Sequence, residues 1–350
     1  MKSNFSIINN SQPDGFSEEA YIAIGSTLIS DGFFLYMIPA WAVLNMILNI
    51  ITFHALNKIK VKPGTRALYF YLKKYVFVCG LLSLGGTTMF ITFSPRYISF
   101  GLDYSSRLFK CQIQTPVLIL LHFYAYILDI LIIIERLSQF SNESNRTFIK
   151  KYSPYKITLI SMIFCIIVNM PSFFWYYVES NEIFLLKARE TPDRLIYCSQ
   201  SDFLSSTLGY ILSFLMLGIN DILTLIVEMI LNIVLIFFYV KFLKKKSQVI
   251  TQTGSTRAKR IKQNNYLSSD LNLFLMTIFL SLISFTSHVF TAFSTFFILG
   301  FKTDGVSLST ITLVNSFISS FKYFSNFFVL YIFNVKFRDE FKKFCSKSVN

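Results

Sequence analysis

The sequence predicts an all-α membrane protein: a seven-transmembrane helix bundle followed by a short amphipathic eighth helix. Three observations carry that prediction. Between Phe33 and Lys336 one apolar run follows another, and a helix needs roughly 20 mostly apolar residues to cross a hydrocarbon layer about 30 Å thick. The chain is 53% hydrophobic and only 15% charged, against about 25% charged in an ordinary soluble domain. The runs are continuous, unlike the alternating ten-residue strands of a membrane barrel, and only helices or closed barrels satisfy their backbone inside lipid.

In chain order, residues 1–32 form a polar, acidic segment without the charged-then-apolar pattern of a cleaved signal peptide. The first helix is therefore expected to act as an uncleaved signal anchor. Residues 33–335 hold the runs Phe33–His54, Leu68–Phe93, Cys111–Ile134, Ile157–Val178, Gly218–Lys241, Leu271–Gly300 and Val306–Val335, the fifth extending as far back as Leu204 on a wider reading. Residues 336–350 complete the chain. In that stretch Phe337, Phe341 and Phe344 recur at helical spacing beside Lys336, Arg338, Lys342 and Lys343, the pattern of a helix lying in the membrane surface. No Gly/Ser linker separates a second domain.

The net charge of +14 points first to nucleic acid, but its placement argues for membrane topology. Of 33 Lys and Arg, 24 fall in or beside the loops after runs one, three and five and in the tail, and eight fall on the opposite side. Short basic loops mark the cytoplasm. The amino terminus is thus expected outside and the carboxyl terminus inside a plasma membrane, with anionic membrane lipid as a partner of the basic loops and no nucleic acid. The sequons at Asn4 and Asn9 fit glycosylation of an outside segment, whereas those at Asn142 and Asn145 fall in a loop assigned inside and are expected to stay bare.

Of five cysteines, Cys79 and Cys165 lie within apolar runs as small core residues. Cys111 and Cys198 both fall on the oxidising side, where a bridge between them is chemically allowed. Cys345, after the amphipathic stretch, is a candidate for palmitoylation, with a free cytosolic thiol as the equal alternative.

The third run ends in Glu135-Arg136-Leu137, with Arg136 lying 25 residues after Cys111, or about 38 Å along one helix. This arrangement resembles the rhodopsin-like (family 1) G-protein-coupled receptors, whose third helix opens on a disulfide cysteine and closes on Asp/Glu-Arg-Tyr. Asn49-Ile-Ile-Thr52 is similar to the family's first-helix asparagine motif, with Asn45 as the alternative. Tyr331, five residues and then Phe337 resembles its join between the seventh and eighth helices.

Several departures mark a divergent member, similar to nematode serpentine chemosensory receptors and peptide receptors. Leu137 replaces the tyrosine, Phe327 and Phe328 replace Asn-Pro, helices five and six lack their prolines, and helix two has no acid. The resemblance implies an extracellular ligand, a heterotrimeric G protein as partner, and a switch built from Glu135, Arg136 and Tyr331. It also implies a receptor that converts ligand binding into G-protein activation.

Ionisable groups inside membrane helices are costly and usually functional. Asp129, Asp221, Glu228 and Lys322 stand out. A helix-three to helix-seven ion pair between Asp129 and Lys322 is one expectation. A protonated Asp129 bonded to Asn49 or Asn326, or a Lys322 that snorkels to water, are the others. His122, Glu228 and His288 are candidates for a ligand pocket, the two histidines also reading as bundle residues satisfied by neighbours.

An opsin-like retinal protein is an alternative suggested by Lys322, but helix three offers no counter-ion acid between Cys111 and Leu128. A transporter is another, weakened by the odd helix count and the missing repeat. The three histidines sit on separate runs, and no HExxH, phosphate loop or G-x-S-x-G is present. The sequence therefore implies no enzyme, metal or cofactor. The outside loops carry more acids than bases, which leans toward a basic peptide ligand. Leu118, where amine receptors place an acid, argues against a simple amine.

Overall fold

A computed structural model describes residues 38–61, 65–93, 109–140, 153–177, 199–252, 257–300 and 305–347. Long helices dominate them. Helix α1 spans Ile38–Lys58 and α2 spans Arg66–Phe93. Helix α3 begins as a π-helical turn at Phe109–Gln114 and continues through Thr115–Phe140. Helix α4 spans Pro154–Asn169, starting where Pro154 occupies a position whose N–H has no helical partner. A second proline, Pro171, tightens its end into the 3₁₀ turn Met170–Phe174.

Helix α5 runs Thr207–Leu217, passes through a π-helical turn at Gly218–Leu223 and continues as Thr224–Gln252. Ser206 caps it, its hydroxyl accepting from the Gly209 N–H at 3.1 Å. Gly209 lies so close to the Phe203 carbonyl that a side chain would collide there. Helix α6 spans Arg257–Gly300, α7 spans Gly305–Phe333 and α8 spans Val335–Lys347. Two short strands, β1 (Tyr176–Tyr177) and β2 (Ser199–Gln200), pair antiparallel beside the turn that opens α3.

Six of these helices are long and apolar enough to cross a membrane: Ala40–Lys58, Arg66–Gly85, Cys111–Ser138, Pro154–Phe174, Thr207–Lys241 and Leu271–Ser294. The chain is thus a multi-pass helical membrane protein by length and composition. The last long helix, α7, contributes a shorter apolar stretch, Phe317–Phe333. Several helices outrun the apolar segments that predict them. Helix α1 ends at Lys58 rather than His54, α3 at Phe140 rather than Ile134, and α6 begins at Arg257 rather than Leu271. Hydropathy marks where a helix meets lipid, whereas its backbone hydrogen bonding continues into polar sequence. The fifth helix starts at Thr207, between the two boundaries expected for it, Leu204 and Gly218, because the π turn keeps it continuous across Gly218.

Helix α1 packs between α2 and α7, α7 against α6, α6 against α5, and α3 runs inside, touching α2, α4, α5 and α6. The exterior is apolar, and the ionisable and polar side chains of the helices lie inside beside an apolar core. Ile160, Ile167 and Phe237 are 64%, 67% and 64% exposed, whereas Glu228 and His288 are 0% and Lys322 is 2% exposed. This inversion is what a lipid-facing surface requires, since apolar side chains meet solvent tails and polar groups need protein partners. An apolar core including Leu56, Leu72, Tyr75, Leu128, Ile132, Met276, Leu330 and Phe337 closes the end of the bundle from which α8 leaves, among α1, α2, α3, α6, α7 and α8.

Candidate functional site in the bundle interior

The polar interior is built from stripes. On α3, His122, Tyr126, Asp129 and Arg136 fall at offsets of four, three and seven residues, and on α6 Thr277, Ser281, Ser284, His288 and Thr291 alternate four and three. That spacing puts each set on one helix face. The two faces meet inside the bundle, where α3 and α6 pack.

His288 organises the centre. Its Nε2 lies 3.1 Å from the Asn220 carbonyl and its Nδ1 lies 3.3 Å from Glu228 Oε2. Asn220, whose carbonyl Nε2 faces, lies within the π-helical turn of α5. A carbonyl oxygen only accepts, so Nε2 carries a hydrogen. One further proton must then lie between Nδ1 and Oε2, on either atom, and the pair is neutral as a unit. Asn220 also donates to Asn169 Oδ1 at 2.7 Å, and Asn169 donates to the Cys165 carbonyl at 2.8 Å, which ties α4 into the network.

Tyr126 joins this pair to α7. Its ring stacks on His288 with centroids 3.9 Å apart, and the Lys322 ammonium lies 4.0 Å from the same ring's centre. Tyr75 is a second ring at 5.9 Å. The expected direct ion pair is not formed: among the described residues Lys322 has aromatic rings as its close partners, with Asp129 and Glu228 acting on it across a longer distance. Asp129 sits beside Glu228 and Ser284. Asp129, Glu228 and Lys322 thus form one buried group of charges shared by α3, α5 and α7. The snorkelling alternative is corrected by burial, Lys322 being 2% exposed. Its place deep in the bundle leaves the stem no path to water.

The Asn49 amide donates to the Asn45 carbonyl at 2.8 Å and faces the Tyr323 carbonyl at 3.4 Å, and Asn45 donates to the Ser320 carbonyl at 3.0 Å. Both asparagines therefore tie α1 to α7, and neither serves Asp129. Asn326 is buried on the α7 face that carries Lys322. Of the candidate pocket residues, Glu228 and His288 are brought together. His122 instead meets the Tyr323 hydroxyl at 2.9 Å, the bundle-histidine reading. Asp221 is buried within the π turn, not at the water boundary.

Near the carboxyl-terminal end of α3, Arg136 Nε donates to Thr277 Oγ1 at 3.2 Å, linking α3 to α6, and Glu135 and Arg136 are both buried. Tyr331 stacks on Phe327 and meets Phe341 edge-on at 5.7 Å, so it serves the α7–α8 joint. Asn334 governs that joint. Its Oδ1 accepts from the Phe337 N–H at 3.2 Å, capping α8, while its amide donates to the Tyr69 hydroxyl at 3.0 Å. Phe337 is fully buried and Cys345 is an exposed free thiol. Cys79 and Cys165 are free and buried; Cys111 is buried at the head of α3. Cys198, Asn4 and Asn9 lie outside the described residues.

Sequence reasoning did not single out Tyr126, Thr277, Ser284, Asn220, Asn169 or Asn334. The α6 residues were open to discovery through their four-three repeat of hydroxyls in an apolar helix. Tyr126 carried no such mark. No protein-family model matches the chain, and no curated protein matches it.

Proposed function

We propose that the chain is a divergent rhodopsin-like G-protein-coupled receptor with seven membrane crossings, its amino terminus outside and its carboxyl terminus in the cytosol of the plasma membrane. The observation that carries this reading is the Arg136–Thr277 hydrogen bond between the inner ends of α3 and α6. It supplies a releasable latch below a polar core shared by α3, α5, α6 and α7. An outside ligand that favours the packing in which α3 and α6 separate shifts the population toward it. Arg136 and the basic stretch from Lys241 to Lys262 then face a G protein.

Two features support the reading. Ser199, which directly follows Cys198, pairs in β2 with β1, and β1 packs on the turn bearing Cys111; a Cys111–Cys198 bridge fits that arrangement. The amphipathic α8 follows α7 immediately, with Phe337 and Phe341 turned into aromatic contacts.

The test is a ligand screen, with basic peptides and small odorants, on cells expressing the chain with a promiscuous G protein and a calcium readout. A response lost in Arg136→Ala at unchanged surface staining is the expected result. Tags at the two ends that label from the same side of intact cells would sink the reading.

A further inference from the structure

The end of α1 and the start of α2 border a half-open cavity of about 420 Å³, lined by Ile59, Val61, Arg66, Tyr69, Phe70 and Lys73. The four α2 residues fall at i, i+3, i+4 and i+7 and therefore make one wall of a single helix face. Ile59 and Val61, on the chain leaving α1, add apolar side chains to the lining. The sequence from Asn57 to Lys74 contains six Lys and Arg and no Asp or Glu. Neither Arg66 nor Lys73 is ion-paired with an acid among the described residues. The Lys336 ammonium, on α8, reaches the Lys60 carbonyl at 3.4 Å and brings another cation to the rim.

Depth supplies the second half of the argument. The apolar span of α1 ends at Lys58 and that of α2 begins at Arg66, so the mouth of the cavity sits at the level of lipid headgroups. Lys73, two turns further along α2, lies about 10 Å deeper, where a lysine stem runs along apolar surface and carries its charge back toward the interface. The cavity thus offers two uncompensated cations around a polar mouth and an apolar lining.

We propose that this cavity binds the phosphorylated headgroup of an anionic phospholipid, with Arg66 and Lys73 holding the phosphate and Ile59, Val61 and Phe70 packing on the glycerol and first acyl carbons. The guanidinium offers paired N–H donors to phosphate oxygens, and the ammonium adds a point charge. The same phosphate chemistry occurs in soluble inositol phosphates. The apolar lining and the interfacial depth select the lipid. This assignment needs only the membrane placement of α1 and α2, and stands apart from any signalling role.

The experiment uses the full chain in phosphatidylcholine nanodiscs containing 5 mol% phosphatidylinositol 4-phosphate, with lipid retained after detergent extraction counted by native mass spectrometry. Wild type is expected to retain the phosphoinositide. Arg66→Gln with Lys73→Gln is expected to lose it by about 30-fold, from roughly one unit of surface-charge attraction per cation. Lys342→Gln with Lys343→Gln removes the same charge from exposed positions on α8 and is expected to leave retention unchanged. Val61→Glu, outside any helix, places a carboxylate in the cavity and is expected to expel the lipid even if the double glutamine variant misfolds. Equal retention in the cavity variants, or an equal loss in the α8 control, overturns the site. Displacement by equimolar soluble inositol 1,4-bisphosphate overturns the lipid assignment in favour of a soluble phosphate.

Discussion

The Lys322 ammonium and the Tyr126 ring lie 4.0 Å apart in the middle of the bundle, and the same ring stacks on His288 at 3.9 Å. A cation against an aromatic face in a desolvated site is held by about 2 kcal/mol, which does not by itself offset the cost of burying an ammonium. The remaining stabilisation comes from the carboxyls of Asp129 and Glu228, which both act on Lys322 across a longer distance. Replacing Lys322 by Met leaves the Asp129 and Glu228 carboxyls without their buried cation. The expected loss is about 3–5 kcal/mol, read as a lower thermal unfolding midpoint in detergent. Adding Asp129→Asn to Lys322→Met is expected to recover more than half of it. A double variant as unstable as the sum of the singles would show that the two do not share a charge balance.

The shared proton between His288 and Glu228 makes a second prediction. Glu228→Gln keeps the pair neutral and leaves an amide N–H to donate to Nδ1, so its melting midpoint should stay close to wild type. His288→Phe removes the contacts to both Glu228 and Asn220 and leaves the carboxyl buried without its partner, which costs about 1–3 kcal/mol. A reversed order of the two variants in the same melting assay would place the pair in a charged state instead.

Thr277 tests the latch between α3 and α6. Thr277→Ala removes the acceptor of the Arg136 Nε–H. Interhelical hydrogen bonds in membranes contribute about 0.6–1.7 kcal/mol. In the proposed receptor the loss falls on the closed packing, so ligand-independent signalling should rise by roughly 3-fold to 18-fold at unchanged surface level. Thr277→Ser keeps the hydroxyl and should behave as wild type. The readout is basal reporter activity normalised to surface staining.

Asn334 holds α8 by its cap and by the Tyr69 bond. Asn334→Ala is expected to cost about 1–2 kcal/mol locally and to free α8 from the bundle. A spin label on the exposed Cys345 would report this as faster motion, with Tyr69→Phe giving a smaller change in the same direction. Unchanged label motion in Asn334→Ala would mean that the Phe337 and Phe341 contacts alone anchor the helix.

Much of the fold is legible in the chain. The length and spacing of the apolar runs place the helices, and the Phe337, Phe341 and Phe344 spacing marks α8. The ends were misjudged where helix continues into polar sequence, as at Lys58 and Arg257, because hydropathy reports lipid contact and not hydrogen bonding. The candidate site was half legible. Asp129, Glu228, His288 and Lys322 stand out as ionisable groups in apolar surroundings, and so did the need for a partner to Lys322.

Which partner it has depends on how each helix is rotated about its axis and how deeply it sits, and one residue of rotation turns a side chain by about 100°. A tyrosine in an apolar helix carries no mark of that choice. The apolar runs and the placement of lysines and arginines therefore determined, by themselves, a multi-helix membrane architecture and the direction its ends are expected to face. Only the tertiary structure decided that Lys322 lies on Tyr126 and that His288 joins Glu228, because those contacts link residues 60 to almost 200 positions apart, selected by helix packing and not by local spacing.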